Sequence, residues 1–278
     1  MGEKITIALG QLACQVGDKK QNLKAMEKRV KQAKKIKAKL IAFPELSLTG
    51  YSVRDTAYEL AEPVPNGPSI REVEKIAKRE DIHIIFGMIE KSVKASAVFY
   101  NSAILVGPKG YVGKYQKMYL PTHSVFEEKR YFRPGYQTPI FGTDIGKIGM
   151  TICYDIYFPE ITRLLSLKGA NLVVCISSSP SMRRGFFETL TTARAMENGV
   201  FVAYVNLVGI EDGLQFWGGS RIIAPSGSLI IQAKYDAEDF IHATIDYSDI
   251  ERVQAWVPTL RDLRPEIFTS LRRETESL

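Results

Sequence analysis

Three side chains able to do covalent chemistry stand where the chain leaves strand-like runs. Glu45 follows Leu40-Ile41-Ala42-Phe43 and Pro44, Lys117 follows the run from Tyr111 to Tyr115, and Cys153 follows Lys147 to Ile152. A thiol attacks a carbonyl carbon when a base takes its proton and a cation holds the thiolate and the oxyanion that forms on the substrate. Glutamate and lysine are those two groups, so the trio predicts acyl transfer to sulfur. Spacing alone leaves a plainer reading open for each residue. Cysteine is among the most buried residue types, a glutamate after a strand often caps a helix, and a lysine beside tyrosines often lays its stem on apolar surface. Cys14 and Cys175 read as such packing residues.

The elements that must position these groups alternate. Ile5 to Leu9 reads as a strand, Leu23, Met26, Val30, Ala33 and Ile36 as one helical face, and Leu40 to Phe43 as a strand stopped by Pro44. Ser69, with Glu72 three residues on, predicts a capping box opening a second helix, followed by a buried strand from Ile82 to Ile89. Val98 to Val106 and Tyr111 to Tyr115 flank Gly107-Pro108-Lys109-Gly110, which predicts a hairpin. Lys147 to Ile152, Asn171 to Ile176 and Val200 to Val205 read as strands, separated by helices over Pro159 to Lys168 and Phe187 to Asn198. Late strands are expected at Ser220 to Ala224, Leu229 to Ala233 and Phe240 to Ile245. This is an α/β chain with two sheets and helices outside, and no linker divides it.

Composition narrows the function. Lys+Arg exceed Asp+Glu by 37 to 31, a net charge of +6, but eight of the basic residues lie between Lys24 and Lys39 on one expected helix. That reads as a solvated face, so no nucleic-acid partner is expected. The three cysteines form no C-x-x-C pair and have no histidine at metal-ligand spacing, which argues against a disulfide scaffold or a metal site. The first residues, Met1-Gly2-Glu3-Lys4, are not a signal peptide, and no apolar run would span a bilayer, so a cytoplasmic protein without a membrane partner is expected. Gly218-Gly219 reads as a turn, Arg194 and Glu197 as an ion pair three residues apart on a helix, and Glu160 as a buried carboxylate or helix-dipole partner. Arg183 and Arg184 follow Ser177-Ser178-Ser179-Pro180-Ser181 and read first as solvated or subunit-interface arginines, with recognition of a substrate carboxylate by one of them as the alternative.

The wording around the trio is more specific than its spacing. Phe43-Pro44-Glu45-Leu46-Ser47-Leu48-Thr49-Gly50-Tyr51, Lys114-Tyr115-Gln116-Lys117-Met118-Tyr119-Leu120-Pro121 and Cys153-Tyr154-Asp155-Ile156-Tyr157-Phe158-Pro159-Glu160 resemble, in that order, the three signature segments of the nitrilase (carbon-nitrogen hydrolase) superfamily. Val125 to Phe132, Ala193 to Asn198 and Gly218-Gly219-Ser220 add to the resemblance, which covers about residues 4–247. It implies a four-layer α-β-β-α sandwich of the nitrilase type as a single domain over 1–278. Residues 248–278 are left for packing or oligomer contacts in a homodimer or larger homo-oligomer. It implies Glu45 as general base, Lys117 as cation, Cys153 as nucleophile and Glu128, next to Glu127, as a second carboxylate. The backbone N–H of Tyr154 is expected to join the oxyanion site, and Tyr51, Tyr119, Ser178 and, from its loop position, Arg183 are expected as substrate contacts. Neither a metal nor an organic cofactor is implied. Tyr119 departs from the histidine common at its position. Cys153-Tyr154-Asp155 is the wording of amide-cleaving members, so a small-molecule linear amide is the first expectation. An N-carbamoyl amide hydrolase and a nitrilase stand behind it. A Cys-His hydrolase would have only His123 to use, and a non-catalytic binding protein on this fold would have no need of the trio.

Overall fold

Strands in the middle of this chain are apolar on both faces, and each face finds a different layer. The computed structural model describes residues 4–277, so Met1 to Glu3 and the last residue of the expected domain lie outside the described residues. Along Lys4–Gln11, Ile5, Ile7 and Leu9 enter one core while Ala8 enters another. Leu172, Val174 and Ile176 likewise face one way and Val173 the other. A strand's two-residue period puts neighbours on opposite faces, so such runs demand a sheet covered on both sides.

The first sheet runs in the order Asp239–Asp246, Lys4–Gln11, Leu40–Ala42, His83–Lys91, Phe99–Gly107, Gly110–Gln116, with the short Glu62–Pro63 beside His83–Lys91. The second runs Leu229–Gln232, Arg221–Ile223, Phe201–Asn206, Leu172–Ser177, Gly146–Ile152, Ile140–Thr143. Helices Lys19–Lys35 and Pro68–Glu80 cover the first sheet through Met26, Val30, Ile70 and Val73. Helices Pro159–Leu167 and Arg184–Asn198 cover the second through Ile161, Leu165 and Ala195. Between the sheets Ile7, Leu9 and Ile85 meet Ile148, Met150 and Val174. The result is the expected four-layer α-β-β-α sandwich.

Two details differ from the sequence-based expectation. Ser69 does not cap its helix: Gly67 holds the cap position with Pro68 at the first turn, and Ser69 gives its N–H and hydroxyl to Glu62, at 2.8 and 2.7 Å. A carboxylate seven residues back does what Glu72 was expected to do. Glu160 is exposed in the first turn of Pro159–Leu167, where only the dipole role is open to it. No helix among the described residues is long and apolar enough to cross a membrane.

Candidate active site

Parallel strands of both sheets end at one place. Glu45 lies just beyond Leu40–Ala42, Cys153 just beyond Gly146–Ile152, and Ser178 just beyond Leu172–Ser177. Ends of parallel strands are where α/β folds gather ligand-binding loops. Lys117 arrives from the first sheet, its N–H donating to the Asn101 carbonyl at 2.9 Å one step past Gly110–Gln116.

Lys117 is fully buried, and its Nζ donates to Glu45 Oε1 and Glu128 Oε1, each at 2.7 Å. Burial would lower its pKa, but Glu128 and Glu45 outweigh that and raise it well above the ordinary lysine value. Glu45 is held from every side: Asn101 Nδ2 donates to Oε1 at 2.7 Å, the Ser178 N–H to Oε2 at 2.7 Å, and the Ser178 hydroxyl to its carbonyl at 2.9 Å. Glu128 Oε1 also accepts from the Tyr51 hydroxyl at 2.8 Å, while its Oε2 is buried without a partner among the described residues. Burial first, and Glu45 among lesser causes, pushes the Glu128 carboxyl up to about 7. Glu127 is exposed, so Glu128 is the carboxylate that reaches the lysine.

Cys153 sits at a strained corner. Its φ of 47° is unusual for a residue with a Cβ. The corner turns the strand into the 3₁₀ turn Cys153–Tyr157. Asp155, fully buried, braces it by accepting from the Ile152 N–H at 3.0 Å and the Tyr115 hydroxyl at 2.8 Å with one oxygen. Its other oxygen takes the Tyr119 N–H at 2.9 Å and the Met118 N–H at 3.3 Å. One carboxylate thereby ties the Lys117 loop to the Cys153 corner. Arg194 braces the far end, donating to the Ile156 and Tyr157 carbonyls at 2.9 and 3.1 Å while pairing with Glu197 at 3.1 Å. Burial, with Glu45 second, raises the Cys153 thiol well above its ordinary value despite the opposing pull of Lys117.

A cavity of about 20 Å³ opens at Cys153, lined by Pro121, His123, Tyr154, Tyr157 and Arg183 among others. A larger one of about 340 Å³ is lined by Glu128 with Tyr51, Val125, Tyr131, Asp212 and Leu214, and Cys153 is not among its walls. Of the expected substrate contacts, Arg183 borders the first and Tyr51 the second. Ser178 is spent on Glu45, and Tyr119 stacks on Phe158 with ring centres 3.4 Å apart, away from both cavities. Arg184 is exposed, 3.2 Å from Glu188 and over the Tyr235 ring. Asn101 and Asp155 carry parts of the site that no role was read for. Asn101-Ser102 interrupts an apolar run, which is a visible signal, whereas nothing local in the sequence marks Asp155 as a brace. No group of three or more acidic, His or Cys residues among those described could hold a metal ion.

The arrangement is a thiol beside a carboxylate and a cation, shielded from water. Residues 6–255 match the family model described as carbon-nitrogen hydrolase. A probable nitrilase of Schizosaccharomyces pombe is 33% identical over 271 residues, covering 96% of this chain and 98% of that protein. A 2-oxoglutaramate amidase of Bacillus subtilis is 31% identical over 267 residues, covering 95% and 100%. In three dimensions the chain is similar to a crystal structure of a carbon-nitrogen hydrolase from Helicobacter pylori. The TM-score is 0.89 at 26% identity, with 97% and 98% of the two chains covered.

Proposed function

This chain belongs to the carbon-nitrogen hydrolase family, and from that premise we propose that it hydrolyses a linear amide of a small carboxylate-bearing molecule through a thioester on Cys153. The observation that carries the reading is Lys117 Nζ held 2.7 Å from both Glu45 and Glu128 beside a cysteine at a strained strand end. The thiol proton passes to Glu45 as sulfur attacks the amide carbon. Lys117 and the Tyr154 N–H take the oxyanion, an interaction worth roughly 10²–10³ in rate per donor. Collapse breaks the C–N bond, and Glu45 hands the proton to the departing amine. Water then attacks the thioester, Glu45 accepts its proton, and the C–S bond breaks to give the acid and the thiol.

The carboxylate preference rests on Arg183, which borders the Cys153 cavity, has the Phe186 ring 5.9 Å away and has no carboxylate partner among the described residues. A guanidinium fork suits a carboxylate bidentately. The relatives' names divide between nitrilase and amidase, and the choice of an amide over a nitrile rests on the wording Cys153-Tyr154-Asp155 together with the Bacillus subtilis amidase.

The test is mass spectrometry of the protein mixed with a panel of amides. A covalent acyl adduct on Cys153 is expected, lost in Cys153→Ala, whereas Cys14→Ala and Cys175→Ala still turn over. Acidic amides should outrun their methyl esters by about tenfold or more, and Arg183→Ala should erase that ratio while Arg184→Ala keeps it. Near-native turnover by Cys153→Ala would remove the mechanism. An unchanged ratio in Arg183→Ala would remove the carboxylate reading alone.

A further inference from the structure

The hairpin formed by Val208–Glu211 and Leu214–Trp217 leaves the second sheet and reaches across to the loop that follows Glu45. Three of its residues converge on Tyr51 and its neighbours. Glu211 Oε2 accepts the N–H groups of Tyr51 and Ser52 at 2.8 and 2.9 Å. Phe216 meets the Tyr51 ring edge-on with centres 5.8 Å apart. Asp212 pairs with Arg54. Glu211 is only 6% exposed, and its Oε1 is buried with no partner among the described residues. A buried carboxylate that spends one oxygen on two backbone donors and leaves the other unmatched is costly unless what it fixes matters. What it fixes is the tyrosine whose hydroxyl donates to Glu128 at 2.8 Å, on the same oxygen that Lys117 uses.

We propose that Glu211 is a positioning residue for the reaction, acting through Tyr51 to orient Glu128 and thereby the ammonium of Lys117. The path runs through four hydrogen-bonded groups, from the hairpin to the lysine beyond the first sheet. Free of the carboxylate, the loop at Tyr51 keeps its aromatic contact but loses the two bonds that set the height of the hydroxyl over Glu128. A misplacement of about 1 Å in such a group costs on the order of a hundredfold in rate. The Tyr51 bond also helps to hold the Glu128 carboxyl down against its burial. Loosening it therefore carries the protonation of Glu128 to higher pH.

The test is a double-mutant cycle between Glu211 and Tyr51, supported by pH profiles. Glu211→Ala, and Glu211→Met as a variant that keeps volume but cannot accept, are expected to lower kcat about tenfold or more with little change in KM. The acid limb of the profile should move to higher pH. Glu211→Gln, which keeps an oxygen for the two N–H groups and offers an amide where Oε1 is unmatched, should restore near-native rates. In a Tyr51→Phe background the same substitutions should change kcat by less than about twofold, because the path is already cut. Independent, multiplying effects in the double variants, an unmoved acid limb, or a Gln variant as damaged as Ala would each overturn the proposal. The inference rests on amide hydrolysis for its assay. Alkylation of Cys153 by iodoacetamide, followed by mass, carries the same cycle without turnover, so a wild type that alkylates but hydrolyses no amide counts against the functional reading and not against this one.

Discussion

Asp155 is the side chain on which the Cys153 corner depends most, since its two oxygens gather four donors from two stretches of chain. Burial pushes its pKa from 3.8 up to about 6, more than its bound donors pull it down. The folded state thus holds the proton more tightly than the unfolded chain. The stability contribution is full below about pH 4 and is lost as pH rises through about 6. Two units correspond to an upper bound of about 3 kcal/mol. Asp155→Asn cannot titrate, so urea unfolding between pH 4 and 7 should find the wild type losing stability relative to the variant as pH rises. A difference flat across that window would show that Asp155 keeps its charge throughout. At neutral pH the variant should also lose activity, since its amide nitrogen faces the Ile152 N–H where a lone pair is needed.

Backbone fit at the scale of elements decides where Glu45 stands. Strand His83–Lys91 carries Gly87 against the turn after Glu45, and a Cβ there would lie 2.1 Å from the Leu46 nitrogen and 2.8 Å from the Glu45 carbonyl carbon. Both neighbours are backbone, so no rotamer relieves the clash, and Leu48 is tied to the same glycine by its N–H. Gly87→Ala should destabilise by about 1–3 kcal/mol and cut kcat/KM about tenfold or more by displacing the base. Gly142→Ala, with nothing within 4 Å, is the matched control and should stay within about 0.5 kcal/mol of wild type. If both variants behave alike, the close approach does not position Glu45. Much of this level is legible in the sequence: the alternation of apolar runs and helical faces places the central strands and the helices that cover them, and with them the three strand ends. What the sequence leaves dark is pairing at long range. Asn101 to Glu45, Ser178 to Glu45 and Glu211 to Tyr51 join residues 56, 133 and 160 positions apart, and no periodicity encodes them. The Val208–Trp217 hairpin is a different case. Asp212-Gly213, with φ of 50° and 77°, is a strong local turn signal that the sequence reading passes over.

At the scale of the whole molecule, the C-terminal helix Pro265–Glu276 has no buried residue, although Ile267, Phe268 and Leu271 gather on it as large apolar side chains. Twelve residues are too few for a helix to hold itself in water, and its own chain buries none of its apolar side chains. Trp256, 83% exposed at the end of Ser248–Trp256, adds to the same apolar region of sequence. Monomers rarely leave such surface to solvent. We propose that a second copy covers it, as the homo-oligomer expected from the sequence would. Sedimentation equilibrium at micromolar concentration is expected to return twice the 31.2 kDa chain mass or a higher multiple. The paired change Phe268→Asp with Leu271→Asp should shift it toward the single-chain mass, because two desolvated carboxylates would have to enter the interface. The sandwich core should hold in that variant, its thermal midpoint falling only by what assembly contributes. A wild type that sediments as one chain would remove the proposed assembly and leave the helix to be held by something other than this protein.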